Sequence, residues 1–207
     1  MNNAEQELFT QSDILNMGWT KALINKFLPD PILKQNPMYK SATPMKLWPK
    51  DTVLQTMDTP EFKDAAEKAA QRKSAARKAV DTKMENTMND TEDFVRSVKI
   101  KVIDNEKLIR KARDNAFQLY KQRHNNEFTS GKYFFQEADK QTIDRWVVNY
   151  IRHNLTEYDA KLFLNRGKVG RIDAAFLLKN LILDRIAEFY PDYKDECIRQ
   201  KTICEEE

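Results

Sequence analysis

The stretch that decides the fold of the first third of the chain is SDILNMGWTKALINKFLPDP, residues 12–31. Ser12 is a good helix N-cap residue, and a first short helix that starts there would end at Gly18. Thr20 is a second N-cap residue, and the apolar residues after it recur at the spacing of one buried helix face. This spacing predicts a helix over residues 21–28, which the prolines that follow would end. The stretch therefore predicts two short helices joined by a tight glycine turn.

The segment that follows, residues 31–49, is rich in proline and in large apolar side chains. Four prolines exclude a helix, because each proline removes a backbone donor and fixes its own φ angle. The methionine, tyrosine, leucine and tryptophan residues between them make the segment too apolar for a free linker. We therefore expect a loop that folds back on the two helices, with a short strand around residues 45–48.

A long helix is predicted to start at Pro60. Thr59 is an N-cap residue, Pro60 suits the first helical position, and Glu61 adds a negative charge to the first turn. No glycine or proline interrupts the chain from there to about Met88, a length of about 43 Å as a helix. Its apolar stripe consists mainly of alanine, which buries little surface. We expect an exposed rod that joins two modules or lies against a partner.

The remainder of the chain holds its densest apolar regions. Alternating apolar and lysine residues at 98–102 predict a short strand or an extended edge segment. Helical spacing of apolar residues then recurs in several segments, and these predict an antiparallel bundle. The predicted helices cover residues 106–123, the region around 143–151, the region around 158–163, residues 174–190 and residues 192–204; residues 125–133 are predicted as a loop and 167–170 as a turn.

Composition excludes several classes of protein. The chain has 207 residues, of which 41% are hydrophobic and 32% charged, so it is neither a disordered tail nor a membrane protein. It contains only 4 glycines, which disfavours sandwiches and barrels with frequent turns. No apolar stretch approaches the roughly 20 residues of a membrane span, and the first residues are polar, unlike a signal peptide. We expect a cytoplasmic protein.

The cysteines and histidines predict neither a disulfide nor a metal site. Cys197 and Cys204 lie seven residues apart on the last predicted helix, which separates their Cα atoms by about 10 Å, beyond the roughly 7 Å that a disulfide can bridge. There is no pair of cysteines at metal-ligand spacing, and His124 is far from His153 in the sequence. We therefore expect no metal and no cofactor.

The net charge of +3 hides an uneven distribution of charge. Residues 68–83, within the long helix, carry six basic side chains and a single acid, Asp81. Residues 96–136 carry ten basic and four acidic side chains. Such a run is often a solvated helix face, but it is also what a surface that binds phosphates requires.

The sequence NPMYKSATPMKLW at residues 36–48 resembles the DNA-binding domain of the xeroderma pigmentosum A repair proteins. In those proteins an Asn-Pro pair is followed at this spacing by Met-Lys-Leu-aromatic and then by a long charged helix. The first third of the chain also resembles the winged domains of MerR-like regulators and phage excisionases. The chain lacks the zinc subdomain of the repair proteins, and Ala42 stands where their loop presents an aromatic residue.

This resemblance implies that the second short helix approaches the major groove and that the proline-rich loop acts as a wing on the phosphates. Lys46, in the Met-Lys-Leu motif, is the best-matched candidate for a phosphate contact, and Lys40 and Lys50 are candidates by proximity. The remaining nucleic-acid-binding candidates lie on two helices: Lys21, Asn25 and Lys26 on the second short helix, and Arg72, Lys73, Arg77 and Lys78 on the long one.

The predicted fold class is mainly α. A winged helix-turn-helix-like DNA-binding unit with a short β wing would occupy residues 1–59, a long basic alanine-rich helix residues 60–90, and a helical bundle of unknown role residues 91–207. The last part is similar to a widespread bacterial segment of unknown function, through VNYIRHNLTEYD at residues 148–159 and the glycines and Tyr-Pro pair that follow.

The sequence is compatible with three functions. A DNA-binding protein of low sequence specificity, which contacts the backbone, is the interpretation we favour. A non-catalytic interaction or scaffold module would use the long helix and the bundle to bind another protein or itself. An enzyme would use Arg152, His153, Tyr158 and Asp159, with the histidine as general base. The sequence has no nucleophile signature, no phosphate-binding glycine loop and no paired-carboxylate metal motif, so we expect no enzyme and expect His153 to hydrogen-bond at a helix end.

Overall fold

The computed structural model describes residues 7–37, 43–123 and 137–202. This part of the chain is mainly helical, as predicted, with one small three-stranded sheet. It divides into unit 1 (Met1–Ala79) and unit 2 (Val80–Glu207). The predicted finer division at residues 59 and 90 stays a prediction.

Unit 1 combines short helices with an antiparallel sheet in the order β1-β3-β2. Phe9 on β1 lies opposite Trp48, and Leu33 on β2 lies opposite Lys46. The predicted strand around residues 45–48 is confirmed as β3. The elements are β1 (Leu8–Thr10), α1 (Gln11–Asn16), α2 (Lys21–Phe27), β2 (Ile32–Lys34), β3 (Met45–Pro49), α3 (Lys50–Asp58) and the first part of α4 (Pro60–Ser97).

The two short helices and the glycine turn between them are present, with one change at the start. Thr10, not Ser12, caps α1: its hydroxyl accepts from the Asp13 backbone N–H, and the Asp13 carboxylate accepts from the Thr10 N–H at 2.9 Å. The predicted Ser12 cap is wrong because the chain enters the helix directly from β1. Thr20 caps α2 as predicted, and Gly18 has φ +95°, a conformation that other residues rarely adopt.

The core of unit 1 joins α1, α2, β3, α3 and the first turn of α4. The Trp19 and Phe62 rings lie 4.1 Å apart between centroids, which fixes the start of α4 against the glycine turn. The Trp48 indole N–H donates to the Pro29 carbonyl at 2.8 Å and so ties β3 to the end of α2. The buried members are Ile14, Trp19, Leu23, Ile24, Leu28, Trp48, Val53 and Phe62.

The long helix begins where the sequence predicts and ends later. The Thr59 hydroxyl accepts from the Phe62 N–H at 3.3 Å, which confirms the predicted start. The predicted end near Met88 is wrong, because the helix continues through the polar residues 86–90 to Ser97. Residues 70–86 are exposed, in agreement with the expected alanine-rich rod.

In the residues of unit 2 that the structure describes, the regular elements are all helices. It contains the rest of α4, α5 (Asn105–Arg123), α6 (Lys140–Tyr150), a π-helical turn (Ile151–Leu155), α7 (Tyr158–Leu164), α8 (Arg171–Phe189), a short 3-10 helix (Pro191–Tyr193) and α9 (Lys194–Thr202). The predicted loop at 125–133 and Cys204 both lie outside the described residues. Cys197 is buried on α9, and burial raises the pKa of its thiol to about 12.

The segment between α4 and α5 does not form a strand, the first of its two predicted alternatives. Val98 and Ile100 are buried, so the alternation does mark an inward face, but residues 98–104 pair with no strand in the described chain. The Tyr190 hydroxyl takes the place of a strand partner. It donates to the Lys101 carbonyl at 2.8 Å and accepts from the Ile103 N–H at 3.1 Å.

A partly buried polar cluster in unit 2 joins α4 to α7. The Lys161 ammonium, with only 5% of its side chain exposed, donates to the Asp90 carboxylate at 2.8 Å and to the Asp90 carbonyl at 2.9 Å. Lys168 reaches the same carboxylate at 3.0 Å. Hydrogen bonds from the two ammonium groups lower the pKa of Asp90 below its ordinary value of 3.8. The Asn165 amide donates to Thr91 in the same cluster.

Gly170, which precedes α8, packs closely against α4. Its φ is +76°, and a Cβ at this position would lie 2.6 Å from Cγ of Met84. We expect Gly170→Ala to lower the free energy of unfolding by about 2 kcal/mol, because the substitution adds a steric overlap to a strained backbone. Chemical denaturation monitored by circular dichroism measures this difference.

Gly167→Ala is the matched control for Gly170→Ala. Gly167 has φ +78° but no atom within 4 Å of a built Cβ, so only the conformational cost of about 1 kcal/mol applies. Equal losses in the two variants would contradict the proposed overlap with Met84.

Candidate nucleic-acid interface

The outer face of α2 carries most of the predicted contacts to DNA. Lys21, Asn25 and Lys26 are all exposed and lie at positions i, i+4 and i+5 of the helix, so they share one side. The opposite side is buried in the core of unit 1 through Leu23 and Ile24. No acidic residue occurs in α2. The helix therefore presents a cationic surface whose orientation is fixed by its core-facing side.

The β2–β3 hairpin presents the Met-Lys-Leu motif. Lys46 is exposed, whereas the next residues, Leu47 and Trp48, are buried. Alternation along the strand places Lys46 on the same face of the sheet as Trp48, opposite the exposed Leu33 of β2. The backbone of Lys46 is therefore held by the buried residues that follow it and by the pairing of β3 with β2. The predicted candidate Lys40 lies outside the described residues.

Lys50 is held by an acidic partner. Its ammonium donates to the Glu7 carboxylate at 2.6 Å, and its backbone N–H donates to the Glu7 carbonyl at 2.9 Å. Hydrogen bonding and charge attraction in this exposed pair lower the pKa of Glu7 and raise that of Lys50. A phosphate would have to compete with this carboxylate, which makes Lys50 the weaker of the two described wing candidates.

Residues of α2 and α4 line a common groove of about 620 Å³. Lys26 and Arg72, which are 46 positions apart in the sequence, both line it. Lys68 lines it as well, with its ammonium 2.7 Å from the Asp64 carboxylate, and the sequence did not single it out. Its position in the basic run of residues 68–83 was the only available signal. The groove joins the predicted sites on two helices into one surface.

The remaining predicted contacts lie farther along α4. Lys73, Arg77 and Lys78 are exposed, in a stretch where every residue of the helix is exposed. They follow Arg72 in the sequence and continue the basic run along α4. The structure therefore places all the described candidates on the surface and joins α2 to α4 through the groove.

The polar cluster considered for catalysis forms on the π-helical turn of unit 2. His153 Nδ1 lies 2.9 Å from the Asp159 carboxylate, and the Arg152 guanidinium donates to His153 Nε2 at 3.2 Å. Arg152 also donates to Asn149 at 3.0 Å and lies over the Tyr158 ring. Because Nε2 accepts from the guanidinium, the proton on Nδ1 faces the carboxylate. Both ring nitrogens of His153 thus have side-chain partners within the cluster.

The described ranges show neither a metal-ligand cluster nor a membrane-spanning helix. No three histidine, cysteine, aspartate or glutamate side chains converge there as they would around a metal ion. None of the helices described is both long enough and apolar enough to cross a membrane.

Comparison of the chain with protein-family models, with curated proteins and with solved structures finds no match.

Proposed function

We propose that unit 1 binds duplex DNA as a winged helix-turn-helix-like module, chiefly through backbone phosphates. The order of elements supports this: two short helices joined by a glycine turn precede a β-hairpin, and a long helix follows. In this arrangement α2 is the helix that enters the major groove and the β2–β3 hairpin is the wing.

The observation that carries the proposal is the outer face of α2, which bears Lys21, Asn25 and Lys26 and no acid. Lysine contacts phosphates as a point charge, whereas the planar forks of arginine and of side-chain amides are suited to bidentate hydrogen bonds with a base edge. Asn25 is the only amide on this face, so we expect strong dependence on salt and modest sequence specificity.

The test is the affinity of the full chain for a 20-base-pair duplex of mixed sequence, measured by fluorescence anisotropy at several salt concentrations. Neutralisation of about three to six phosphates gives a slope of about −3 to −5 in a plot of log affinity against log salt. Affinity should then fall by about 60- to 1,000-fold between 50 and 200 mM salt. Absence of binding at 50 mM salt would overturn the proposal.

A further inference from the structure

Unit 2 exposes a concentration of large apolar side chains around the turn between α7 and α8. Phe163, Leu164 and Ile172 are each more than 60% exposed, and Phe176 is 47% exposed. Single exposed apolar residues are ordinary, but a group of large ones around one turn is typical of a surface that binds a ligand or a partner. The DNA-binding proposal uses none of these residues.

Two of them, Ile172 and Phe176, line a groove of about 460 Å³ between α7 and the first turns of α8. Leu162, Ile172, Ala175 and Phe176 supply its apolar surface. The residues contributed by α8 recur at helical spacing, so they form one continuous strip along the groove.

The charged side chains that line the groove all have one sign. They are Arg166, Arg171 and Lys179, and no aspartate or glutamate lines it. The Arg166 guanidinium lies over the Phe163 ring, 4.9 Å from its centroid. Arg171 has neither an ion pair nor a side-chain hydrogen bond with any described residue. The groove is therefore apolar at its floor and cationic at its edges.

Interactions with α4 keep the groove open. Lys161 on α7 is anchored to Asp90, and Asn165 in the following turn donates to Thr91. The turn itself packs against Met84 through Gly170. Because its walls are fixed in this way, a ligand would bind a preformed surface and would not have to order it first.

We propose that this groove docks an amphipathic helix of a partner protein, with its apolar side on the groove floor and acidic side chains beside the three cations. Helix-in-groove recognition needs an apolar strip with spacing like that of α8, and the uniform positive charge selects acidic flanks. A single-stranded nucleic acid would need open aromatic faces for base stacking. Of the aromatic side chains that line this groove, Tyr158 is buried and Phe176 is exposed, so successive bases would have a single ring on which to stack.

The test uses two synthetic 18-residue helical peptides that share a leucine face and differ only in their flanks, glutamate in one and lysine in the other. Binding to the full chain is measured by fluorescence anisotropy of labelled peptide. We expect the glutamate peptide to bind at least 10-fold more tightly than the lysine peptide. A labelled 12-nucleotide oligo(dT) is measured in parallel and is expected not to be displaced by the glutamate peptide.

Two variants locate the binding. Arg171→Glu and Ile172→Asp alter exposed side chains, so both should fold, and each should weaken binding of the glutamate peptide by at least 10-fold. Lys111→Glu, an equal change of charge at an exposed position on α5, should leave it unchanged. Equal affinity for the two peptides, no binding of either, no loss in the groove variants, or displacement of the oligo(dT) by the glutamate peptide would each overturn the proposal. None of these results bears on duplex binding by unit 1.

Discussion

Replacing Lys21, Lys26 and Lys46 together by alanine is expected to lower the affinity of the chain for duplex DNA by about 100- to 1,000-fold at 50 mM salt. Each ammonium that leaves a phosphate reduces the number of counterions released, so the slope of log affinity against log salt should fall by about 2.7 in magnitude. All three side chains are exposed and lie outside the core, so the free energy of unfolding should change by less than about 1 kcal/mol. Fluorescence anisotropy and denaturant unfolding provide the two measurements.

A control triple variant separates a binding surface from a general effect of charge. Lys99, Lys107 and Lys111 are exposed lysines of unit 2, and their replacement by alanine removes the same total charge. We expect this variant to keep its affinity within about threefold of the wild type. Equal weakening by the two triple variants would show that α2 and the hairpin are not the interface.

Asp90→Asn is expected to lower the free energy of unfolding of unit 2 by about 3 kcal/mol. The substitution keeps the shape of the side chain but leaves the Lys161 ammonium, 5% exposed, without its counter-charge. We place the loss at the low end of the range for buried pairs because the Asp90 side chain is 52% exposed. Urea unfolding monitored by circular dichroism measures it.

Two further variants test the cause of this loss. Lys168→Gln removes the exposed partner of Asp90 and should cost less than about 1 kcal/mol. Asp90→Asn combined with Lys161→Met removes both members of the buried pair and should recover part of the stability, since no unpaired charge is then buried. A double variant less stable than the sum of the two single losses would contradict this explanation.

The contribution of Asp90 to the free energy of unfolding should decrease as the pH is lowered. The pKa of Asp90 is lower in the folded chain than in the unfolded chain, so its carboxylate stabilises the fold above the unfolded pKa. That contribution is lost as the pH falls through the folded pKa, below 3.8. Between pH 6 and pH 3 the wild type should therefore lose more stability than Asp90→Asn, and parallel losses would count against the assignment.

Elements with local start signals were predicted well from the sequence. Thr20 identified α2, and Thr59 and Pro60 identified the start of α4, because caps act within one turn. β1 was missed, since its pairing partner, β3, lies almost 40 residues away in the sequence. The strand at 98–102, one of the two predicted alternatives, does not form for a related reason: alternation predicts an inward face but cannot supply a partner strand.

The end of α4 shows how tertiary contacts override a local pattern. Residues 86–90 are polar enough to predict a break, yet Thr87 and Asp90 both have partners within the fold. The Thr87 and Thr91 hydroxyls donate to carbonyls one turn back along the helix, and Asp90 binds Lys161, which is 71 positions away. Helix propensity alone could not anticipate that second interaction.

The sequence could name candidate residues for the interface, but it could not predict how they are arranged. Lysines on α2 and the hairpin were identified from their positions and from a short motif. Two features depend on contacts between segments far apart in the sequence. One is the ion pair between Glu7 and Lys50, and the other is the groove that Lys26 lines together with Lys68 and Arg72. Such pairings are set by the folded core and not by the local pattern.

The most direct measurement of DNA binding by unit 1 is a titration of the ¹⁵N-labelled full chain with a 20-base-pair duplex, followed by amide chemical shifts. The proposal predicts saturable shifts concentrated at Lys21, Asn25 and Lys26 of α2 and at Lys46 of β3, which weaken as salt is raised. Shifts confined to residues 80–202, or no shifts at 50 mM salt, would contradict it.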